Sequence, residues 1–223
     1  MTKELFFQAV LKFFAGVVLL GMLIFLPAGT LYYWNAWLFM GILFVPMFFA
    51  GIIMMFKNPD LLRKRLNAKE KEAEQGLVIK LSGLMFILGF VAAGLNFRFQ
   101  WIVLPNWVSW AATVVFLLSY LIVAEVLREN TFLSRTVEVQ ENQTVIDTGL
   151  YGMVRHPMYS ATIILFLCMP LVLGSLVSFV IFLMYPAIIS KRISNEEEVL
   201  EKELTGYAEY KKKVKYKVIP FIW

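Results

Sequence analysis

Long apolar runs almost free of charge divide this chain, and they leave it few ways to fold. The longest covers residues 161–189, which is 29 residues without a charged side chain. The others cover residues 5–26, with Lys12 near the start, then 36–56, 81–97 and 107–124. A helix that crosses a bilayer needs about 20 mostly apolar residues, because each residue rises ~1.5 Å through a hydrocarbon core about 30 Å thick. The four shorter runs each read as one span, with Pro46 as a kink in the second. Trp34, Trp37, Trp101, Trp107 and Trp110 lie near the ends of runs, where amphipathic rings prefer the headgroup level. The expected fold class is an all-α integral membrane protein.

Composition narrows the functional classes. Of the 223 residues, 60% are hydrophobic and 17% charged, which is too apolar for a disordered chain. The single cysteine excludes a disulfide scaffold and a cysteine-based zinc site, and the single histidine a His-rich cluster, so no metal is expected. The net charge of +5 would suit nucleic acid only if it covered a folded soluble surface. Here the charges sit between apolar runs, so the expected partner is the bilayer and not nucleic acid.

Charge asymmetry sets the expected topology. Cytoplasmic loops collect Lys and Arg. The 57–78 loop holds Lys57, Arg63, Lys64, Arg65, Lys69 and Lys71, and the segment after the fourth span holds Arg128, Arg135 and Arg155. The loops between hold only Arg98. The 161–189 run is long for one span and short for two full ones, and Pro170, Gly174 and Ser175 near its middle read as a turn. One span would place all eight cations from Lys191 to Lys217 outside, whereas a hairpin of two short helices keeps them inside. The expectation is about six transmembrane segments, four spans plus the short hairpin, with both termini cytoplasmic. The first run exceeds the 7–15 residues of a signal core and reads as a retained anchor. The loop over 57–76 reads as a solvated, amphipathic helical connector. Residues 1–129 thus form the N-terminal transmembrane helices, and residues 130–223 carry the functional half.

Two polar segments, 130–159 and 191–223, bracket the hairpin, which should make them neighbours. Pro157 suits the first turn of a helix, where a missing N–H costs nothing. Arg155 and His156 then stand at that helix's N-terminus, a place for an anionic group or, equally, for a basic anchor at the headgroups. Arg192 and Glu196 are four residues apart and share a helix face. Of Glu196, Glu197 and Glu198 at most two can face inward; the default for such a run is a solvated face. Arg155, Arg192 and one or two of these carboxylates could converge on a zwitterionic cofactor and an anionic substrate. The tail from Tyr207 to Trp223 mixes Lys with aromatic residues and reads as a basic element on anionic lipid. Cys168 and most methionines read as packing residues. Gly149 and Gly152 make no dinucleotide fingerprint.

The stretch from Gly149 through Arg155-His156-Pro157-Met158-Tyr159, followed by Arg192 and Glu196-Glu197, resembles the isoprenylcysteine carboxyl methyltransferases. The resemblance covers roughly residues 130–223, and the spans before it are generic. It implies S-adenosylmethionine as cofactor and a lipophilic or lipidated acceptor that arrives from the bilayer. It places Tyr151, His156, Pro157, Met158, Tyr159, Glu196 and Glu197 at the cofactor, and Gln140, Thr144, Val145 and Ile146 at its adenosine half. It gives Arg192 the substrate carboxylate, and it gives catalytic roles to both Arg192 and its neighbour Arg155, which together would orient the acceptor. The family commonly has a Phe-Gly pair before its C-terminal tyrosines, where this chain has Leu204, Thr205, Gly206 and Tyr207.

Other functions remain open at this stage. A phospholipid amine could replace the carboxylate acceptor, and it would need a base such as Glu197 or His156. Membrane sterol reductases share a similar C-terminal hairpin and use a nicotinamide cofactor. A transporter predicts ionisable residues within the spans, and Lys12 and Glu125 near span ends are the ones found. Binding of S-adenosylmethionine against NADPH separates these readings.

Overall fold

The computed structural model describes residues 3–66, 73–134 and 136–223, the side chains of residues 73 and 74 excepted; the charges expected at Lys69, Lys71 and Arg135 lie outside these. The described residues form α1 (Lys3–Ala28), α2 (Trp34–Lys57), α3 (Pro59–Leu66), α4 (Ala73–Phe99) and α5 (Asn106–Glu129). A short 3-10 turn (Gly149–Gly152) leads to α6 (Pro157–Val172), α7 (Leu176–Phe182), α8 (Tyr185–Glu203) and α9 (Tyr207–Lys213). Extended pairing among the described residues is limited to one isolated bridge, Val103 to Ser175.

Among the described residues five helical stretches are long and apolar enough to cross a membrane: α1, α2, α4 from Gln75, α5, and α7 with α8 over Leu176–Glu203. The apolar helix α6 is shorter, at 16 residues. Only 17% of the apolar window of α1 and 11% of that of α2 is buried by the rest of the chain. Apolar surface on this scale would drive association in water, but it matches hydrocarbon. The chain is an all-helical integral membrane protein.

Helix packing follows from small residues and aromatics. Gly94 lets α4 approach α1 closely: a Cβ there would stand 2.4 Å from the Ile24 carbonyl oxygen. Phe86 on α4 meets Phe166 of α6 edge-on, with centroids 4.8 Å apart, and Phe182 of α7 at 5.5 Å. One buried cluster runs from Leu20 and Ile24 through Phe39, Phe90 and Phe116 to Phe182, Ile193 and Val218. The halves divided at residue 130 therefore share a single core.

The 161–189 run turns back as expected at residues 173–175, where Ser175 Oγ caps α7 by accepting from the Ser178 amide (3.2 Å). Pro170 is not part of that turn but lies inside the last turn of α6. The returning arm is two helices, since the ladder breaks at Leu183 and Met184 before α8 starts with Pro186 in its first turn. The last carbonyls of a helix have no partner within it. At α6 they are taken up by neighbours: Ser109 Oγ donates to Leu171 O (3.2 Å), Asn35 Nδ2 to Val172 O (3.0 Å), and the Tyr33 hydroxyl to Leu173 O.

The connections after α1, α4 and α6 thus gather at one end of the bundle. At the other end lie α3, the 130–156 segment and the tail, joined by contacts such as Lys64 Nζ to Gln140 Oε1 (2.5 Å) and Tyr210 Oη to Tyr151 O (2.8 Å). The loop over 57–76 is therefore more than the solvated connector its charges suggest. Leu61 and Leu62 of α3 are buried, and α4 starts at Ala73, several residues before the apolar run. Helical hydrogen bonding continues through polar residues wherever a neighbour covers one face, and Gln75 is wholly buried there.

Candidate functional site

At the polar end a cavity of about 550 Å³ opens between α4, the 130–146 segment, the start of α6, α8 and α9. That volume lies within the range of small-molecule sites. One face of α8 supplies a wall on which Tyr185, Ile189, Arg192, Glu196 and Leu200 succeed one another at helical spacing. The wall is apolar toward the middle of the bundle and charged toward its end. Opposite, α4 contributes Val78, Ile79, Ser82, Gly83 and Phe86, and α6 adds Phe166. Arg192 sits where the apolar and polar parts meet. Its Nε donates to the Tyr159 hydroxyl (2.9 Å), which in turn donates to Glu196 Oε2. Its Nη1 reaches Gln75 Oε1 at 3.4 Å.

The start of α6 is built as the sequence suggests, with His156 as N-cap residue and Pro157 in the first turn. The negative group beside it comes from the chain itself. Glu197 Oε1 accepts from Arg155 Nε (2.8 Å) and lies 3.1 Å from His156 Nε2. Lys217 and Lys211 approach the other Glu197 oxygen at 3.4 and 3.7 Å. Arg155 Nη1 donates to the carbonyls of Val214 (2.7 Å) and Lys215 (2.8 Å), and the amides of Arg155 and His156 donate to Tyr216 O and Lys217 O. Ser160 Oγ ties Val218 O to the same corner (2.6 Å). The tail is thus a strap across the α6 N-terminus, with Tyr207, Tyr210, Val214 and Val218 buried. After Val218 the tail turns outward, with Ile219, Phe221 and Ile222 exposed. Its Lys side chains bracket a buried carboxylate and its alternate apolar residues face inward.

Most residues singled out in the sequence meet here. Thr144, Val145, Ile146, Tyr151, Arg155, His156, Met158, Tyr159, Arg192 and Glu196 all line the cavity. Three do not. Glu197 points into the Arg155–His156 corner, because successive helix positions turn by about 100°. Pro157 is buried as the first-turn residue. Gln140 orders its own segment instead: it accepts from Lys64, and its Nε2 donates to Phe132 O. Arg155, expected beside the acceptor, has its Nε and Nη1 committed to Glu197 and the strap. Sequence reasoning missed Gln75, Arg65, the α4 face, Tyr207 and Tyr210. The spacing of Tyr207 and Tyr210, three apart on one helix face, was the available signal for the last two.

Burial pushes the Tyr151 phenol up to about 12, against a partly offsetting hydrogen bond from Asn130 Nδ2 (2.9 Å). Tyr207 and Tyr210 are likewise held well above the usual phenol value, first by burial and then by nearby ionisable groups. These phenols are neutral donors at physiological pH. Lys213 of α9 holds the Asp147 carboxyl below its usual value. Among the described residues no group of three or more His, Cys, Asp or Glu could hold a metal ion.

Fold and cavity together define a helical membrane protein with a partly polar, partly apolar cavity at one end. Residues 110–202 match the model of the isoprenylcysteine carboxyl methyltransferase (ICMT) family, so the resemblance carried by Arg155-His156-Pro157, Arg192 and Glu196-Glu197 is shown over that stretch. A 91-residue stretch is also 30% identical to a Delta(14)-sterol reductase of Mus musculus, covering 40% of this chain and 22% of the reductase. The match thus spans less than a quarter of that relative's length.

Proposed function

We propose that this chain transfers a methyl group from S-adenosylmethionine to a lipophilic carboxylate, as in isoprenylcysteine carboxyl O-methylation. The observation that carries this reading is a cavity in which Arg192 joins an apolar trough to a polar chamber. The trough between α4, α6 and α8 suits a prenyl-like chain approaching from the bilayer. The chamber fits the cofactor chemically: Glu196 for an ammonium, neutral phenols as donors, and the edge formed by Thr144, Val145 and Ile146 for a flat heterocycle. When bound, the cofactor supplies an electrophilic methyl on a sulfonium.

The residues of this chain act by placement and charge. Methyl transfer is an in-line displacement, so the rate depends on alignment and on preorganised electrostatics. Arg192 can hold the acceptor carboxylate through its guanidinium fork. Its Nε contact with Tyr159 ties that fork to Glu196, so acceptor and cofactor are held through one chain of hydrogen bonds. A carboxylate is ionised at neutral pH and requires no base. An amine acceptor would require one; of the two bases considered for it, Glu197 lies off the cavity in the Arg155 corner, whereas His156 lines the cavity. In this reading Arg155, His156 and Glu197 position the wall of the site.

In this reading the site's end and both termini are cytoplasmic, which the excess of cations there supports by the positive-inside rule. α6 and the α7–α8 arm then complete six segments. Residues 130–223 carry the chemistry, and α4 from residues 1–129 closes the cavity. The sterol reductase likeness supports a second reading with a nicotinamide cofactor. The purified protein in mild detergent should bind S-adenosylmethionine and not NADPH. It should transfer labelled methyl to prenylated cysteine derivatives and not to phosphatidylethanolamine. NADPH binding without S-adenosylmethionine binding would replace the first reading by the second.

A further inference from the structure

Arg192 is held from two helices that belong to different halves of the chain. Its Nε donates to the Tyr159 hydroxyl of α6 (2.9 Å), and its Nη1 to Gln75 Oε1 of α4 (3.4 Å). The other end of the Gln75 amide returns to the same residue, where Nε2 donates to Arg192 O (3.4 Å). Among the described residues both hydrogen bonds of the Gln75 side chain thus go to Arg192. They agree on one orientation of the amide, with its oxygen toward the guanidinium and its nitrogen toward the carbonyl. One planar group therefore ties the far end of the arginine to the arginine's own backbone.

Gln75 is 0% exposed, and an amide so placed has lost its water. Two bonds at 3.4 Å are long and offset little of that cost, so the stability of the fold is a poor account of the residue. Direction is a better one. Arg192 lines the cavity and Gln75 does not, so Gln75 stands behind the guanidinium. A long arginine side chain loses much rotamer freedom when it is fixed. Its two-pronged grip on a carboxylate works only when the fork is aimed. We propose that Gln75 is a positioning residue, which sets the direction of the Arg192 guanidinium and so the placement of an acceptor's carboxylate. The assignment rests on the carboxylate reading above. Gln75 lies outside residues 110–202, the stretch that matches the family, so the N-terminal half takes part in aiming the site.

The test uses the full-length protein in detergent, with N-acetyl-S-farnesylcysteine as acceptor. Its carboxamide, which lacks the charge, serves as competing probe, and S-adenosylhomocysteine reports the cofactor end. Gln75→Met keeps length and volume and removes the amide. Its KM for the acceptor should rise about fivefold, on the scale of one weak hydrogen bond to a charged group. The inhibition constant of the carboxamide and the affinity for S-adenosylhomocysteine should not change. The melting temperature should equal or exceed wild type, because a buried amide is removed. Gln75→Asn withdraws the amide by one methylene and should raise the acceptor KM with the same selectivity; it decides the matter if Gln75→Met does not fold. Asn96→Leu, on the same helix, removes buried bonds to Ile102 (2.9 and 3.1 Å) and should lower the melting temperature without selectivity among the ligands. Equal weakening of all three ligands by the Gln75 variants, or no change in any, overturns the Gln75 assignment alone. A wild-type protein that binds S-adenosylhomocysteine but methylates no carboxylate overturns the carboxylate reading and this assignment with it.

Discussion

Three consecutive carboxylates on α8 end in three environments. Glu196 faces the cavity, Glu197 is buried against Arg155, and Glu198 is exposed and pairs with Lys202 (2.7 Å). The helix turn per residue separates them, so adjacent substitutions of one chemistry should have unrelated effects. Arg192→Ala should lower methyl transfer by about 100-fold, the scale of losing a positioned charge at the reacting group, while Glu198→Ala should leave it near wild type. Arg192→Lys should rescue little, because an ammonium lacks the planar fork. Wild-type turnover of Arg192→Ala with labelled cofactor would remove its role. Arg155 is a different case. Its loss leaves Glu197 buried with weaker partners, and breaking such a pair costs about 3 kcal/mol. Arg155→Ala should therefore lower the melting temperature by about 6–12 °C, more than Arg192→Ala does. The motif around His156 was readable as residue types; that Arg155 at the cavity wall is engaged by Glu197 and the tail, and Arg192 by Tyr159 and Gln75, was not, because direction depends on what packs behind each side chain.

At the scale of elements, the close pair is α1 and α4. Gly94→Ala brings a Cβ to 2.4 Å from the Ile24 carbonyl oxygen, a backbone atom that cannot step aside by rotating. Its melting temperature should fall, despite the gain of about 1 kcal/mol in helix propensity from Gly to Ala. Gly51 on α2 has open space at the same position and is the control, expected to be neutral or slightly stabilised by Ala. Equal melting temperatures for the two variants would refute the close approach. The spans were legible because a bilayer demands uninterrupted apolar length. The early start of α4 and the inward side of the tail were not legible, since both are amphipathic and their buried faces are defined only by partners distant in sequence. Gln75 beside Arg192, 117 residues away, carries no sequence signal of its own.

At the scale of the whole molecule, cations crowd one end of the bundle, and Arg98 stands at the other. The single cysteine, Cys168, is buried, so introduced cysteines can be read against a silent background. Tyr32→Cys and Glu209→Cys, at exposed positions on opposite ends, should label from opposite sides of sealed membranes with an impermeant maleimide, Glu209→Cys from the cytoplasmic side. Labelling of both from one side would contradict the proposed six segments. That prediction uses properties that the sequence determines alone: apolar length sets which segments enter the bilayer, and Lys and Arg bias sets which ends stay inside, because both are local interactions between chain and solvent. The cavity is another matter. Its walls come from α4, the 130–146 segment, α6, α8 and α9, and its geometry depends on the α6 corner held by Glu197 and the tail. Only the tertiary structure decides such a site, because each wall residue is oriented by contacts with elements tens of residues away.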